Sequence, residues 1–511
     1  MSLSAVMKFR GNGIFWTLFV LVLLAGMGFR IYKAHSAGIV YDEAFTSLHF
    51  EADVYKSPTL EHPNFHVLTA IFNRWAHDLF GSYEHFVRIP ALLFAVILSG
   101  SLAYMIHKAI DSKPLKIMFF GLVSFSPFVF DLSFLARGYS IALGAIYAEF
   151  ALIVWLLGHK IKYRNIWIPI VAISGLNFLA FGAVPSTIWM LSGMNIIFVL
   201  FYSFRAVRDV SGKLKPILTN LISIPILSFI PLYFLYRKNF REILEARDQF
   251  GGEIDFWPYV KQLLMGKVIN VDSGFNTVVY YIFLSLIGLI LVFFVCRFLI
   301  GVRKGAWKKI FGWPAECVFI VTIMGVTLVE MLLHREVFHL RLGFLRNGVV
   351  LIPLFLITCG ILCDKFCQKL GNRWAVHAAQ GVVTVLVFLM MALNLPSPHL
   401  VKVRDWDRQS VAGPILHKLR AIDPNRLWKI SRSKEMVFLN LPFAYYQRFG
   451  YKIQYMGLKS YDVVVVHRTE MLKNVMCLDK DYFDRLDCGI VVNPKLAGSG
   501  VFPEGLLSMS N

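Results

Sequence analysis

The 511-residue sequence places two adjacent carboxylates, Asp42 and Glu43, in the segment Tyr41–Phe45. The apolar neighbours of this pair would hold it against the protein rather than in water. In general, burial next to hydrocarbon raises the pKa of a carboxylate, whereas a cationic partner lowers it. A carboxylate tuned by these two effects can act as a general base that takes a proton from a hydroxyl group. A solvated acidic loop is the alternative interpretation.

A second candidate is His62, which follows Glu61 and precedes Pro63. The proline restricts the residues before it to extended backbone. The imidazole could bind a metal ion or hydrogen-bond a substrate, and an ordinary interfacial position is the alternative. The stretch 64–80 alternates apolar and polar side chains with the spacing of a helix that lies in the membrane interface. Arg88 then begins the second predicted span.

Asp131 and Arg137 lie at the outer ends of two predicted spans, and Tyr139 follows them. A charge at the centre of a membrane costs about 2.5–3.5 kcal/mol on insertion scales. We therefore expect both charged side chains to face a polar cavity or each other. A structural pair between Asp131 and Arg137 that closes the turn is the alternative to a role in binding.

The segment 334–346 concentrates positive charge on the side of the membrane where few basic residues are expected. An anionic ligand on that face would explain the excess, because arginine binds phosphate through parallel hydrogen bonds and keeps its charge. Contact with lipid headgroups is the alternative. The side chains of this predicted anion site are Arg335, His339, Arg341 and Arg346.

Composition limits the class of protein. Hydrophobic residues make up 57% of the chain and charged residues 16%, against about 25% charged in an ordinary soluble domain, and the formal net charge is +20. These values exclude a soluble enzyme and a disordered basic protein, and they argue against a nucleic-acid-binding protein, because so much apolar surface has no place in water. They indicate a multi-pass integral membrane protein with cationic loops.

A helical span needs about 20 mostly apolar residues, and the sequence contains about eleven such stretches. We predict spans at 14–32, 86–106, 116–132, 139–158, 166–183, 186–203, 216–236, 276–299, 316–333, 347–362 and 376–395. Basic residues concentrate in every second connection, so the positive-inside rule places these loops and the N-terminus in the cytoplasm. The long first loop, 33–85, and the C-terminal tail are then extracytoplasmic, in what we expect to be a bacterial inner membrane.

The tail, 396–511, loses the transmembrane character and mixes short strands with helices. We predict strands at 436–439, 463–466 and 490–492 and helices at 412–422 and 443–449. The chain is thus expected to contain a membrane domain, 1–395, followed by a small extracytoplasmic α/β domain. Cys477 and Cys488 could form a disulfide there in an oxidising compartment, and free thiols are the alternative.

The ordered set of these features resembles the polytopic GT-C glycosyltransferases, in the branch of protein O-mannosyltransferase-like and lipid A aminoarabinose transferase-like enzymes. A basic N-terminus, one span and then Asp42 and Glu43 are similar to the start of these enzymes. The segments that resemble the next parts of the family pattern are 62–64, 79–81, 88–90, Ser126–Pro127 with Arg137 and Tyr139, and 341–353. One departure is Asn64, where the family often has a second proline.

The resemblance implies transfer of a sugar from a polyprenyl-phosphate-linked donor to a hydroxyl of a glycan, lipid or protein acceptor. The reaction would occur on the outer face, with inversion at the anomeric carbon. Asp42 would be the general base, Glu43 would orient it or bind a metal ion, and Asp131 would be a second carboxylate of the site. The implied donor phosphate and sugar residues are His62, Arg88, Arg137, Tyr139, Arg335, His339, Arg341 and Arg346. No cofactor is certain, and a divalent cation stays open.

Two rival classes are a transporter or lipid-linked-sugar flippase, and a non-catalytic lipid-binding scaffold with the same fold. A transporter should show repeated halves and broken helices near the midplane, and the sequence shows neither. Its ionisable residues should also lie within the spans, whereas most of those above lie at outer ends. The partners expected of the enzyme are a lipid-linked donor, an acceptor and membrane lipids, and no nucleic acid.

Overall fold

The computed structural model describes residues 3–49, 66–81, 84–158, 167–209, 223–224, 226–228, 230, 256–266, 274–303, 313–336, 345–370, 372–394, 411–432, 436, 439–448, 451–455, 461–467, 476–478, 488–497, 501 and 507–509. The sequence-based predictions for His62, His339 and Arg341 lie outside these residues. The same holds for most of the predicted span 216–236.

Helices dominate the described part of the chain. The first ten are α1 (Leu3–Ser36), α2 (Tyr41–His49), α3 (Val67–Phe80), α4 (Glu84–Val87), α5 (Ile89–Ala109), α6 (Lys113–Ser124), α7 (Pro127–Leu132), α8 (Gly138–Gly158), α9 (Trp167–Ala183) and α10 (Ile188–Asp209). The next five are α11 (Phe256–Gly266), α12 (Gly274–Arg303), α13 (Ala315–Glu336), α14 (Leu351–Lys369) and α15 (Arg373–Asn394), with 3₁₀ turns at Pro185–Thr187 and Leu345–Val350.

Seven helices in the described ranges are long and apolar enough to cross a membrane. They are Gly13–Ser36, Ile89–Ala109, Gly138–Gly158, Thr277–Arg297, Ala315–Leu333, Gly348–Lys369 and Arg373–Ala392, and shorter apolar helices lie at Ile168–Ala183 and Met190–Leu200. The predicted class, a polytopic helical membrane protein, is confirmed, whereas the predicted count of about eleven spans is not. The helices α8 and α14 are buried along most of their length, while α1 and α15 expose apolar side chains as lipid-facing helices do.

The predicted span 116–132 is not one continuous helix. The helix α6 ends at Ser124, and α7 begins at Pro127. Ser126 between them has extended backbone, with φ −56° and ψ 119°, because a proline disfavours helical geometry in the preceding residue and has no N–H to donate. This break places Asp131 on a short separate helix next to the turn that leads into α8.

The C-terminal part forms a six-stranded sheet in the order β2-β1-β3-β5-β4-β6. The strands are β1 (Trp428–Arg432), β2 (Ile453–Tyr455), β3 (Val463–His467), β4 (Met476–Leu478), β5 (Cys488–Val492) and β6 (Leu507–Met509), and the helices are α16 (Ala412–Ile422), α17 (Asn440–Arg448) and α18 (Pro494–Ala497). Strand β1 pairs in parallel with β2 and β3, and the other pairs are antiparallel. The α/β character predicted for the tail is confirmed.

The predicted strand at 436–439 is wrong. Met436 and Leu439 lie in 3₁₀ geometry and are buried in the core of the C-terminal part, so the apolar run reflects burial rather than extended pairing. The strand β1 at Trp428–Arg432 was not predicted. In β4, Cys477 lies opposite Val491, so Cys477 and Cys488 are not direct cross-strand partners.

Two separate hydrophobic cores fill the described molecule. One core lies among the membrane helices, from Phe15 to Met390. The other lies between the C-terminal sheet and its helices, and it also includes Ile39 and Ala44 from the beginning of the chain. The predicted boundary at 395 lies outside the described residues. The segment that carries Asp42 therefore contacts both cores.

Candidate active site

The candidate site forms where α2 follows the C-terminal end of α1. The helix α2 begins at Tyr41, so Asp42 and Glu43 both lie in its first turn. The carboxylate of Glu43 accepts a hydrogen bond from the backbone N–H of Val40 at 3.1 Å, which satisfies one of the N–H groups that a helix start leaves free. The acidic first turn thus stabilises a short helix at a place where the chain changes direction.

Glu43 is held by Arg88, the residue immediately before α5. The guanidinium binds the carboxylate through two bonds, Nε to Oε1 at 2.9 Å and Nη2 to Oε2 at 2.5 Å, and both side chains are fully buried. The remaining Arg88 N–H groups donate to the carbonyl oxygens of Ala34, Ala37 and Gly38 at 2.6–2.9 Å. All five N–H donors of the arginine are therefore used within the protein.

A third element meets the same carboxylate. The backbone N–H of Ala136 donates to Oε1 of Glu43 at 2.6 Å. Ala136 lies in the turn between α7 and α8, and its carbonyl oxygen accepts a hydrogen bond from Asn73 of α3 at 3.0 Å. Glu43 thus joins α2, α5 and the α7–α8 turn, which is the arrangement of a positioning group.

Asp42 faces a different cation, Arg137. The distance from Nη2 of Arg137 to Oδ2 of Asp42 is 3.5 Å, and the Asp42 side chain is 17% exposed. Nη1 of the arginine donates to Thr46 Oγ1 at 3.0 Å and to the Asp42 carbonyl at 3.3 Å. The buried Nε of Arg137 has no hydrogen-bond partner in the structure. The pair therefore combines a carboxylate that solvent reaches with a buried cation that retains a donor.

Two basic residues of α1, Lys33 and Arg30, also form polar contacts near this site. Nζ of Lys33 lies 2.5 Å from Oδ1 of Asp131, and both side chains are buried. Arg30 donates to Ser133 Oγ at 2.6 Å and to the Ser124 carbonyl at 3.0 Å. Arg30 and Lys33 are not among the site residues predicted from the sequence. The same signal used for 334–346, basic residues at an outer helix end, would have found them.

Gly138, the residue after Arg137, allows the backbone at the start of α8 to approach the backbone at Ala183, the last residue of α9. A methyl group on Gly138 would overlap the carbonyl oxygen of Ala183 and lie 2.8 Å from Nδ1 of His66. His66 hydrogen-bonds that same carbonyl, and its ring packs edge-to-face against Tyr139 with centroids 5.5 Å apart. Tyr139 therefore packs with His66 in the same region as Arg137.

The structure brings together part of the predicted residue set. Six of them lie near one another, where the C-terminal end of α1 meets the N-terminal ends of α5 and α8: Asp42, Glu43, Arg88, Asp131, Arg137 and Tyr139. Arg335 is half-buried near the end of α13, and Arg346 lies in the 3₁₀ turn before α14. The roles assigned to all of these side chains stay predictions.

Two of the described carboxylates near this site, those of Glu43 and Asp131, already bind donor groups of the protein. Both oxygens of Glu43 already accept hydrogen bonds from Arg88 and from backbone N–H groups. Asp131 faces Lys33. In the described ranges, no three side chains of His, Cys, Asp and Glu come together as a metal site.

Comparison with solved structures identifies the fold. ArnT from Cupriavidus metallidurans in the apo state matches 96% of this chain and 99% of its own, with a TM-score of 0.50 and 11% identity. The same protein bound to undecaprenyl phosphate matches 95% of this chain and 98% of its own, with a TM-score of 0.46 and 11% identity. The oligosaccharyltransferase AglB from Archaeoglobus fulgidus, in complex with an inhibitory peptide and a dolichol-phosphate, matches 95% of this chain and 75% of its own. Its TM-score is 0.42 and its sequence identity is 10%.

ArnT and AglB both belong to the GT-C superfamily. The likeness to apo ArnT confirms the GT-C-like fold predicted from the sequence, and the two weaker matches add nothing to it. No protein-family model matches the chain, and no curated protein sequence does.

Proposed function

We propose that the protein is a membrane glycosyltransferase that moves a sugar from a polyprenyl-phosphate donor to an acceptor hydroxyl on the outer face of a bacterial inner membrane. One observation carries this proposal. In a GT-C-like fold, the partly exposed carboxylate of Asp42 lies beside the buried guanidinium of Arg137 at the outer helix ends. A base next to a cation suits the attack of a hydroxyl on a phosphate-linked sugar.

The chemistry is divided between the two acidic neighbours. Asp42 accepts the proton of the acceptor hydroxyl as its oxygen attacks the anomeric carbon. The bond between that carbon and the phosphate oxygen breaks, and its electron pair leaves with the polyprenyl phosphate. A single displacement of this kind inverts the anomeric configuration. Glu43 takes no proton in this scheme, since it holds α2 through Arg88 and Ala136.

Negative charge grows on the leaving phosphate, and Arg137 is the described cation best placed to receive it. Its buried Nε donor has no hydrogen-bond partner among the described residues, so a phosphate oxygen could accept that hydrogen bond without displacing one of them. The proposed assistance from Arg335, Arg341 and Arg346 would add charge on the lipid side. Lys33 keeps Asp131 in an ion pair, which supports the turn that carries Arg137.

The test replaces one carboxylate at a time in the cells that make the protein. Envelope glycans and glycolipids are compared by mass spectrometry in the wild type, the gene deletion, and deletions complemented with Asp42→Asn or Asp78→Asn. Asp78 is the matched control, because it lies on α3 and its side chain is 46% exposed in a pair with Arg74. We expect the deletion and Asp42→Asn to lose the same sugar, and Asp78→Asn to restore it.

Full restoration by Asp42→Asn at the wild-type protein level would refute the general-base assignment. A flippase predicts the same loss in the deletion strain, because without it the donor stays on the cytoplasmic face. Restoration by Asp42→Asn would therefore also favour that rival, whereas loss of the sugar in both strains at equal protein level supports the enzyme.

A further inference from the structure

We propose that the C-terminal domain holds the helix that carries Asp42, and that Tyr446 is the positioning residue through which it acts. This inference rests on the proposed role of Asp42 as the base. The helix α2 has only 9 residues, and isolated helices of this length are unstable in water. Its orientation therefore depends on the groups packed around it.

The side chains of α2 point in three directions, because successive helical residues are about 100° apart. Asp42 and Thr46, one turn apart, face Arg137. Glu43 is buried against Arg88 of the membrane part. Ala44, at 0% exposure, and Leu48 one turn later belong to the core of the C-terminal domain. The helix thus lies between the membrane helices and this domain.

The backbone just before α2 is fixed from the same two sides. The carbonyl oxygens of Ala37 and Gly38 accept hydrogen bonds from Arg88 at 2.6 and 2.9 Å. The N–H of Ile39 donates to the hydroxyl of Tyr446 at 3.2 Å, and both residues are buried. Ile39 is three residues before Asp42, so this hydrogen bond acts close to the base.

Tyr446 is itself held rigidly within α17. Its ring packs edge-to-face against Tyr451 with centroids 5.0 Å apart, and against Tyr445 at 5.6 Å. Tyr451 in turn shares a hydrogen bond with Nδ1 of His417 at 3.3 Å. A tyrosine fixed in this way transmits the position of the C-terminal domain to the start of α2. Without the hydroxyl, the buried N–H of Ile39 would lose its acceptor.

The test measures the position of residue 42 directly, without any substrate. The full-length protein carrying Asp42→Cys is purified, and the rate at which its new thiol reacts with N-ethylmaleimide is followed by peptide mass spectrometry. Adding Tyr446→Phe removes one hydroxyl and keeps the ring. We expect the labelling rate at residue 42 to rise about fivefold, since a looser α2 exposes the thiol more often.

Two controls separate positioning from a general loss of structure. Tyr451→Phe removes a hydroxyl from the same aromatic cluster, one that bonds His417 and not the Ile39 N–H, so the labelling rate at residue 42 should stay unchanged. A thiol introduced by Asp78→Cys on α3 should react at the same rate with and without Tyr446→Phe. The melting temperature of each variant shows that it is folded.

A labelling rate that Tyr446→Phe leaves unchanged, or that Tyr451→Phe raises equally, would overturn the proposal. The glycan analysis above adds an independent arm, in which Tyr446→Phe should reduce the sugar modification several-fold at equal protein level, as expected for a misplaced base. If Asp42→Asn proved fully active, the enzyme proposal would fail, yet the labelling result would still decide how α2 is held.

Discussion

Asp42 and Glu43 are neighbours in the chain but lie in different surroundings. Glu43 is fully buried with two bonds to Arg88, whereas Asp42 is partly exposed beside Arg137. The sequence was enough to propose the dipeptide as the candidate chemical centre. The division of roles could not be predicted, because the partners lie about 45 and 95 residues further along the chain.

Removing Glu43 should destabilise the protein strongly. Glu43→Ala leaves Arg88 as an uncompensated buried charge, which costs about 3–5 kcal/mol. Asp78→Ala breaks only the exposed pair with Arg74 and should cost at most about 1 kcal/mol. Thermal unfolding of both variants in detergent measures the difference. Equal melting temperatures would contradict the structural role assigned to Glu43.

Gly138 provides a second test at the scale of one residue. Gly138→Ala forces a methyl group against the Ala183 carbonyl and His66, so α8 and α9 must move apart next to Arg137. We expect a loss of about 1–3 kcal/mol in unfolding free energy together with reduced sugar transfer. The control is Gly175→Ala on α9, where the methyl group meets nothing within 4 Å. That variant should be neutral or slightly more stable, and equal destabilisation of the two would contradict the close approach.

At the scale of elements, the helices carry the candidate site at one end of the bundle and are joined at the opposite end by a polar cluster. Asp364 on α14 accepts hydrogen bonds from the backbone N–H groups of Asp111 and Ser112 at 3.0 Å, and so caps the start of α6. Nζ of Lys365 lies 2.6 Å from Oδ2 of Asp111. The span lengths were predictable from hydropathy, whereas this link depends on contacts between distant residues.

The charge of Asp111 should make stability depend on pH. Burial tends to raise its pKa, but hydrogen bonds from Lys365 and Gln368 and the charge of Lys365 outweigh it and hold the pKa below the ordinary 3.8. The stabilising contribution is therefore present above about pH 4 and is lost as the pH falls through the lowered pKa. It should be small, since the Asp111 side chain is 65% exposed.

Melting temperatures of the wild type and Asp111→Asn measured from pH 6 to pH 3 check this effect. The two curves should differ most at the upper end of this range and converge as the acid titrates. Curves that stay parallel over the whole range would show that the Asp111 carboxylate contributes nothing through its charge.

At the scale of the whole molecule, the second core joins the first loop to the tail through Ile39 and Ala44. The sequence predicted two domains in order but not that one would pack on α2, the helix that carries Asp42, in the other. Local patterns of hydropathy carry no information about a contact that spans about 400 residues, such as the bond from Ile39 to Tyr446. The proposed topology places this contact outside the cytoplasm.

Reporter fusions test that topology. A fusion after residue 400 should be active only with a reporter that works outside the cytoplasm, because the basic loops are proposed to face inward. A fusion within the connection 159–166, proposed to be cytoplasmic, should give the opposite signal. A cytoplasmic signal at residue 400 would overturn the orientation and the outer location of the site.

The central claim is that Asp42 is the base for transfer of a lipid-linked sugar. Its most direct test is the rate of radiolabelled sugar transfer from a polyprenyl-phosphate donor in membranes of the deletion strain, which supply the acceptors, complemented with the wild type or Asp42→Asn. The account predicts a rate about 10²–10⁴ times lower for Asp42→Asn at equal protein level. A rate within twofold of the wild type would contradict it, because that is the small effect expected of an unimportant surface substitution.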